Sequence, residues 1–239
     1  MGVVAQAIRY LDLMLAPAIC PGCQENLCQD QEDGRLCRSC DQELSRLPEN
    51  RCGLCGAPLN TSLELCQECT DTDRPWCAGT AAFPYDGTVG DWIRAFKYGA
   101  HTEYLNFFVR EMARAWRKYH GNAIPDAVTP IPLHWFRERT RGFNQAALLA
   151  EGLAKELHLE YLPVLRRAHA TAHQARLGEK NRARNLRHAF VVKDASAIVD
   201  KTILVVDDVF TTGATLTAAC QALLDAGAEE TAILTVARA

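Results

Sequence analysis

An acidic pair followed by a hydroxyl-rich turn is the feature of the sequence with the most specific chemistry. Residues 201–218 read KTILVVDDVFTTGATLTA, in which an apolar run at 203–206 leads to Asp207 and Asp208. The turn that follows comprises Thr211, Thr212, Gly213, Ala214 and Thr215. Backbone N–H groups of such a turn can converge on an anion at a helix N-terminus, and a glycine permits the required bend. Two carboxylates beside a phosphate cradle suit a ribose phosphate.

The elements that must position this pair can be read from the flanking residues. The β-branched, fully apolar run at 203–206 predicts a parallel strand that is covered on both faces. Ligands of open α/β sheets bind at the carboxyl ends of strands, which is where Asp207 and Asp208 are predicted to emerge. A buried strand with an acidic turn and no ligand is the alternative, and the strand-to-helix context argues against it.

The acid pair and the Thr-Thr-Gly-x-Thr turn resemble the phosphoribosyl pyrophosphate (PRPP) motif of type I phosphoribosyltransferases. The resemblance implies that Asp207 and Asp208 hold the ribose 2′- and 3′-hydroxyls of PRPP, which binds with Mg²⁺. It also implies that residues 211–215 bind the 5′-phosphate. The expected fold class is α/β, a mainly parallel sheet with helices on both faces.

Cysteines set the first third of the chain apart. Ten of the 11 cysteines precede residue 78, and eight of them form the Cys-x-x-Cys pairs Cys20/Cys23, Cys37/Cys40, Cys52/Cys55 and Cys66/Cys69. Each pair is half of a tetrahedral Cys₄ site, so the spacing predicts two structural zinc ions. Pairing in chain order and an interleaved pairing both remain open. Disulfides would need an oxidising compartment, which the N-terminus does not support.

These patterns divide the chain into an N-terminal helix with a double zinc-ribbon module at residues 1–78 and a transferase-like domain at residues 79–239. Few apolar residues lie between 24 and 73, so zinc must supply much of the module's folding free energy. Arg9 and Asp12 interrupt the apolar N-terminus, which predicts a short amphipathic helix rather than a secretion signal. No apolar run approaches the ~20 residues of a membrane span, so we expect a cytoplasmic protein.

Periodicity in the second domain predicts alternating strands and helices. The predicted strands are residues 76–85, 127–131, 203–206 and 232–236, and the predicted helices are residues 89–98, 104–119, 145–157 and 215–226. Strands that alternate with helices indicate a mainly parallel sheet.

Basic residues concentrate before the acid pair. Residues 134–193 hold 12 Lys/Arg against 5 Asp/Glu, whereas residues 1–92 hold 6 against 14. Anionic ligands are drawn to such a region. After the strand at 127–131 comes a loop with Arg137, Arg139 and Arg141, whose guanidinium groups match phosphate oxygens, although a solvated surface loop is the alternative. Lys97 is either an anion contact or an exposed lysine at a helix end.

A second resemblance covers nearly the whole chain. Pro-x-Pro at 130–132, Arg-x-Arg-Gly-Phe-Asn-Gln at 139–145, Phe-Lys-Tyr at 96–98 and the four cysteine pairs resemble the ComF family, which includes ComFC and GntX. Further agreement lies in the basic loop, at Gln174, Leu177, Arg182, Asn185 and Phe190. By the transferase analogy, residues 167–187 form a hood over the active site, carrying Gln174 and Arg182. Lys97 and the arginine loop would bind pyrophosphate.

The resemblance also implies a role in natural competence and DNA uptake or utilisation. Two functions follow. The first is PRPP-dependent transfer to an acceptor that the sequence does not identify. The second is a non-catalytic factor that handles single-stranded DNA or senses PRPP, with DNA-uptake proteins as partners. For DNA, the basic stretch would track phosphates while Trp135, Phe136 and Phe143 offer stacking platforms.

Overall fold

The computed structural model describes residues 19–27, 35–60, 63–99, 102–121, 124–133, 142–168 and 189–239. Its helices are α1 (Arg38–Glu43), α2 (Gln67–Asp71), α3 (Gly87–Gly99), α4 (Thr102–His120), α5 (Gln145–Leu157) and α6 (Ala214–Asp225). Its strands are β1 (Ala78–Pro84), β2 (Ala127–Pro130), β3 (Glu160–Tyr161), β4 (Leu165–Arg167), β5 (Phe190–Val192), β6 (Thr202–Phe210) and β7 (Glu230–Arg238). Within these ranges, no helix has the length and apolar character needed to cross a membrane.

Five strands form one parallel sheet with the order β1-β7-β6-β2-β3. Strand β6 lies at its centre, and the side chains at 203–206 are completely buried there. Burial on both faces explains why this strand has no polar alternation before the acids. The predicted α/β class with a mainly parallel sheet is confirmed.

The two faces of the sheet have separate cores. Leu204 and Val206 pack with apolar residues of α3, α4 and α5, whereas Ile203 and Val205 pack with α6 and with the β4–β5 pair. Successive side chains of a strand point to opposite faces, so one apolar run serves both cores. Helices therefore cover both faces, as predicted.

The cysteine-rich segments contribute to these two cores. Cys20 and Leu36 of the first segment belong to the α3–α5 core, and Cys52 and Cys69 of the second belong to the α6 core. The second segment also contacts β1 directly, since the Gly79 N–H donates to the Gly53 carbonyl at 2.8 Å. The two cysteine-rich segments thus lie against opposite faces of one sheet.

Two features differ from the sequence-based expectation. Strand β6 continues to Phe210 instead of ending before the acids, because its neighbour β7 pairs with it as far as Arg238. The short strand β3 and the antiparallel pair of β4 and β5 were not predicted. These strands have only two or three residues, too few for a period to be recognised. The predicted N-terminal helix lies outside the described residues.

Candidate functional site

The acid pair lies where the central strand outruns one of its neighbours. Pairing of β6 with β2 ends at Pro130 and Val206, while Asp207 is still in register with Thr235 of β7. Beyond Val206, no strand of the described residues pairs with the β2 side of β6 at the carboxyl end of the sheet. Ligands of open α/β folds bind in crevices of this kind.

Asp208 contacts the cation at the end of α3. The Lys97 ammonium lies 2.9 Å from Asp208 Oδ1, and the two side chains are 21% and 16% exposed. Gln145, which is buried, donates its side-chain amide to the Lys97 carbonyl at 3.2 Å. The structure thus brings Lys97 to the acid pair, and α5 helps to hold it there.

Asp207 has a different environment from its neighbour. Its Oδ1 accepts the backbone N–H of Asp208 at 2.8 Å. Burial, together with the charge of Asp208, raises the pKa of Asp207 to about 7, although Lys97 and Arg167 offset part of this effect. The ionised form is therefore costly in the free protein. A cation or a hydroxyl donor from a ligand would stabilise it.

The predicted phosphate loop has the backbone that an anion cradle needs. Gly213 has φ +75° and is the N-cap of α6, which begins at Ala214. The Ala214 N–H donates to the Thr212 hydroxyl at 3.4 Å. An α-helix leaves its first N–H groups without intrahelical acceptors, and the helix dipole favours an anion there. Thr211 and Thr212 are exposed and Thr215 is half-buried, so the loop faces solvent beside the acids.

Glycine is required at 213 for a second reason. A Cβ there would lie 2.8 Å from Phe210 Cζ and 3.0 Å from Arg74 Nη1. Both the positive φ and this close packing exclude larger residues. Arg74, which follows the second cysteine-rich segment, is a neighbour of the loop that the sequence patterns did not indicate.

Several predicted site residues lie outside the described residues, namely Arg137, Arg139, Arg141, Gln174 and Arg182. The ends of their loops are described. Asn144 donates its side-chain amide to the Ile131 carbonyl at 3.0 Å, and Arg167 Nε donates to the Pro132 carbonyl at 3.0 Å. Both loops are thus anchored at the carboxyl end of β2. Phe143, predicted as a stacking platform, packs against buried Phe96 with ring centroids 6.2 Å apart.

The cysteines form two groups of four in chain order, Cys20, Cys23, Cys37 and Cys40, then Cys52, Cys55, Cys66 and Cys69. All sulfur atoms within a group lie within 4.8 Å of one another. The sulfur atoms of Cys23 and Cys37 are 3.9 Å apart, and those of Cys55 and Cys66 are 3.6 Å apart. Tetrahedral zinc with Zn–S bonds of about 2.3 Å requires sulfur separations of about 3.8 Å. Both groups fit zinc, and the interleaved pairing is excluded.

One thiol in each group has a lowered pKa. The hydrogen bond from Cys55 lowers the pKa of Cys52 to about 4, with backbone N–H groups acting in the same direction. Burial raises the pKa of Cys20, but backbone N–H groups, first among them that of Cys37, bring it to about 7. Burial raises the pKa of Cys69 to about 11 and also raises the pKa of Cys40, so zinc, which binds thiolates, would displace protons from these thiols.

Two known domain families match this chain. The family described as phosphoribosyl transferase domain matches residues 140–239, and the double zinc ribbon domain matches residues 10–70. The chain thus combines a segment similar to double zinc ribbons with a following segment similar to phosphoribosyltransferase domains.

Curated relatives define the family. The chain is 30% identical over 213 residues to competence protein F of Haemophilus influenzae, covering 85% of this chain and 90% of that protein. It is 31% identical over 198 residues to the DNA utilization protein YhgH of Escherichia coli, covering 81% and 86%. Competence protein ComFC of Bacillus subtilis is 27% identical over 231 residues, with coverage of 87% and 90%. The chain belongs to the ComF family.

Among solved structures, the chain aligns with the glutamine PRPP amidotransferase of Bacillus subtilis at 16% identity. The alignment covers 59% of this chain and 30% of that one, with a TM-score of 0.41.

We expect two zinc ions per chain in protein purified without chelator, measured by elemental analysis. The eight ligand thiols should resist a thiol reagent until a chelator is added, because zinc holds them as bound thiolates. Exposed Cys77 lies outside both groups and serves as the internal control, since it should react without a chelator. Burial raises the pKa of Cys77, so this reaction should be faster at higher pH. Disulfides without metal in freshly isolated protein would contradict the assignment.

Asp207→Asn should stabilise the ligand-free protein at neutral pH. Because the folded-state pKa is raised from 3.8 to about 7, ionising Asp207 costs stability, and the cost grows as the pH rises between these values. The thermal midpoint of the variant, measured without Mg²⁺, should exceed that of the wild type by a few degrees at pH 7.5 and by less at pH 5.5. Asp208→Asn removes the charge that repels Asp207 but leaves Lys97 without its carboxylate, so its gain should be smaller. Parallel pH profiles for the wild type and Asp207→Asn would contradict this account.

Proposed function

We propose that the chain binds PRPP with Mg²⁺ and acts as a phosphoribosyltransferase. One observation carries the proposal: Asp207, Asp208, Lys97 and the Gly213 turn converge at the open carboxyl end of the central strand. These groups supply two acceptors, a cation and an anion cradle, which are the complements of ribose hydroxyls and phosphates.

The ribose phosphate half of PRPP fits the described groups. Asp207 and Asp208 accept hydrogen bonds from the 2′- and 3′-hydroxyls, which offset the cost of burying carboxylates. Residues 211–215 bind the 5′-phosphate through backbone N–H groups and hydroxyls. Helix α6 has 12 residues, so its dipole adds to the attraction for the dianion.

The pyrophosphate half of PRPP would bind to basic side chains. Lys97 and the arginine loop with Arg137, Arg139 and Arg141 are its binding residues in this proposal. The loop begins and ends beside β2, the strand next to the acid pair. Carboxylates with substrate phosphates are the donor set that Mg²⁺ prefers, so the acid pair fits this ion, which would neutralise charge on the departing pyrophosphate.

The protein has little covalent work to do in such a transfer. An acceptor amine forms a bond to ribose C1 while the bond from C1 to the pyrophosphate oxygen breaks and its electron pair leaves with pyrophosphate. Binding aligns the two reactants, and the basic groups stabilise the leaving charge. The hood, with Gln174 and Arg182, closes over the ligand and excludes water that would hydrolyse C1.

The names of the relatives suggest the setting. They are called competence and DNA utilization proteins, so we place this chain in competence or DNA uptake and utilisation. Two sets of zinc thiolates suit a reducing compartment, which favours the cytoplasm.

Titration of PRPP with Mg²⁺ tests binding. The wild type should bind saturably, and Asp207→Ala/Asp208→Ala should lose at least two orders of magnitude in affinity, because each hydrogen bond to a charged group contributes about 1.5–3 kcal/mol. Asp225→Ala, at the opposite end of α6, is the matched control and should bind as the wild type does. Equal binding by all three proteins would contradict the assignment.

Candidate amines with pyrophosphate release as the readout then separate transfer from binding. Release that requires both acids and an acceptor supports a transferase. Binding without release for every acceptor favours a PRPP sensor on the same fold.

A second candidate is a factor that handles single-stranded DNA, favoured by the excess of basic residues at 134–193. Binding should then weaken steeply with salt and depend little on sequence. Arg139→Ala/Arg141→Ala should reduce the salt slope by about 1–1.5, since each phosphate contact with a single strand contributes about 0.7. The control is Arg114→Ala/Arg117→Ala on α4, where both side chains are more than half exposed. A slope that the first pair leaves unchanged would exclude the arginine loop as the DNA site.

A further inference from the structure

A cluster of charged residues lies directly behind the phosphate loop. It consists of Arg74, Arg238 and Glu68, and we call it the arginine cluster. Arg74 Nη2 is 2.6 Å from Glu68 Oε1, and Arg238 Nη2 is 3.4 Å from Glu68 Oε2. The arginine side chains are only 4% and 12% exposed, whereas Glu68 is 45% exposed. One carboxylate therefore serves two largely buried guanidinium groups, and the cluster carries one excess positive charge.

An aromatic floor fixes the planes of the guanidinium groups. The guanidinium carbons of Arg74 and Arg238 lie 5.9 and 4.7 Å from the centroid of the Phe210 ring. Phe210 is the last residue of β6, three positions before Gly213. Trp76 packs edge-on against the same ring, with centroids 6.4 Å apart. Stacking of this kind holds Arg in a defined orientation, which a lysine would not adopt.

Arg74 contacts the phosphate loop itself. Its Nη1 donates to the Thr212 carbonyl at 3.3 Å. In a trans peptide the C=O and N–H bonds point in opposite directions, so this bond turns the Gly213 N–H away from Arg74. The buried side of the loop is thus held by Arg74, and the N–H faces the open side, where a phosphate would bind.

The cluster is attached to the second zinc site. Glu68 lies on α2 between the ligands Cys66 and Cys69. Trp76 Nε1 donates to the Leu54 carbonyl at 2.6 Å, and Leu54 lies between the ligands Cys52 and Cys55. Arg74 thus contacts Glu68 directly, and it contacts Trp76, which is bonded to Leu54. Glu68 and Leu54 both lie in segments that zinc would hold rigid.

Part of the hydrogen-bonding capacity of the cluster is not used. Among the described residues, the buried Arg74 Nε and Arg238 Nη1 have no hydrogen-bond acceptor. A structural ion pair needs one guanidinium group for one carboxylate. This cluster has a second guanidinium group, and two of its N–H donors have no acceptor among the described residues. An anion at the adjacent loop would balance the excess charge.

We propose that Arg74 is a positioning residue for the 5′-phosphate loop and that the second zinc ribbon, through Glu68, couples its metal occupancy to phosphate affinity. The inference rests on the proposed function, because it takes residues 211–215 as the phosphate site. The first zinc site, which packs against the opposite face of the sheet, has no part in the coupling.

Calorimetric titration of ribose 5-phosphate into the zinc-loaded full chain tests the proposal. Arg74→Ala should weaken binding roughly tenfold or more, within the usual range of coupling between sites. Arg117→Ala removes an arginine from the far surface and should change affinity less than about twofold. Both variants should retain the wild-type zinc content.

Glu68→Gln separates positioning from charge. Removing the carboxylate adds a net positive charge beside the loop, so electrostatic attraction alone would tighten phosphate binding. If Glu68 instead holds Arg74 in place, binding should weaken. Tighter or unchanged binding would overturn the inference.

Reciprocal linkage provides a readout on the metal. If zinc at the second site favours phosphate binding, saturating ribose 5-phosphate should raise the affinity for one of the two zinc ions, measured at equilibrium by competition with a chelator. Arg74→Ala should abolish this increase. Suppose that the wild type binds PRPP while Arg74→Ala and Glu68→Gln keep full affinity for ribose 5-phosphate. This result would overturn the inference and leave the proposed function intact. A wild type that binds neither ligand would remove both.

Discussion

Strand β6 is the constraint on which the rest of the structure depends, because it lies in the middle of a sheet that is covered on both faces. Its four consecutive apolar side chains are completely buried, and each contributes about 1.5–3 kcal/mol when removed from water. The alternation that sends these side chains to two cores continues into Asp207 and Asp208. The acid pair therefore inherits its geometry from the packing of the strand.

Each acid accordingly meets a different partner. Asp208 continues the alternation of Leu204 and Val206 and reaches Lys97 on α3, the helix that packs with them. Asp207 continues the alternation of Ile203 and Val205, which face the α6 core. The charge of Arg167 on β4 lowers the pKa of Asp207 and offsets part of the effect of burial. One carboxylate is paired and the other has a raised pKa. Ionisation of Asp207 is therefore unfavourable in the ligand-free site, and a ligand with hydroxyl groups and a cation would stabilise the ionised form.

Sequence patterns predicted the parts of this structure that depend on local periodicity. Helix α5 was predicted with its observed bounds from the apolar stripe along it, and the structure adds that Asn144 caps its first turn by accepting the Ala146 N–H. The Cys-x-x-Cys spacing predicted the zinc groups but not their pairing, which depends on the path of the chain between pairs. The full length of β6 was missed because acids are rare in strands, and only its pairing with β7 extends it.

Long-range contacts explain what the sequence left unseen at the site. Arg74 lies 138 residues from the carbonyl that it contacts in the phosphate loop, and no spacing rule connects two such positions. The glycine at 213 could be predicted from its turn, but the close packing of the Phe210 ring and the Arg74 guanidinium against it could not. A small module with few apolar residues can hold a buried arginine only if something else fixes its backbone, and zinc at the second Cys₄ group would do so. Through Arg74, the cysteine-rich segment contacts the phosphate loop and so forms part of the candidate site. This contact gives a physical reason for the two units to occur in one chain.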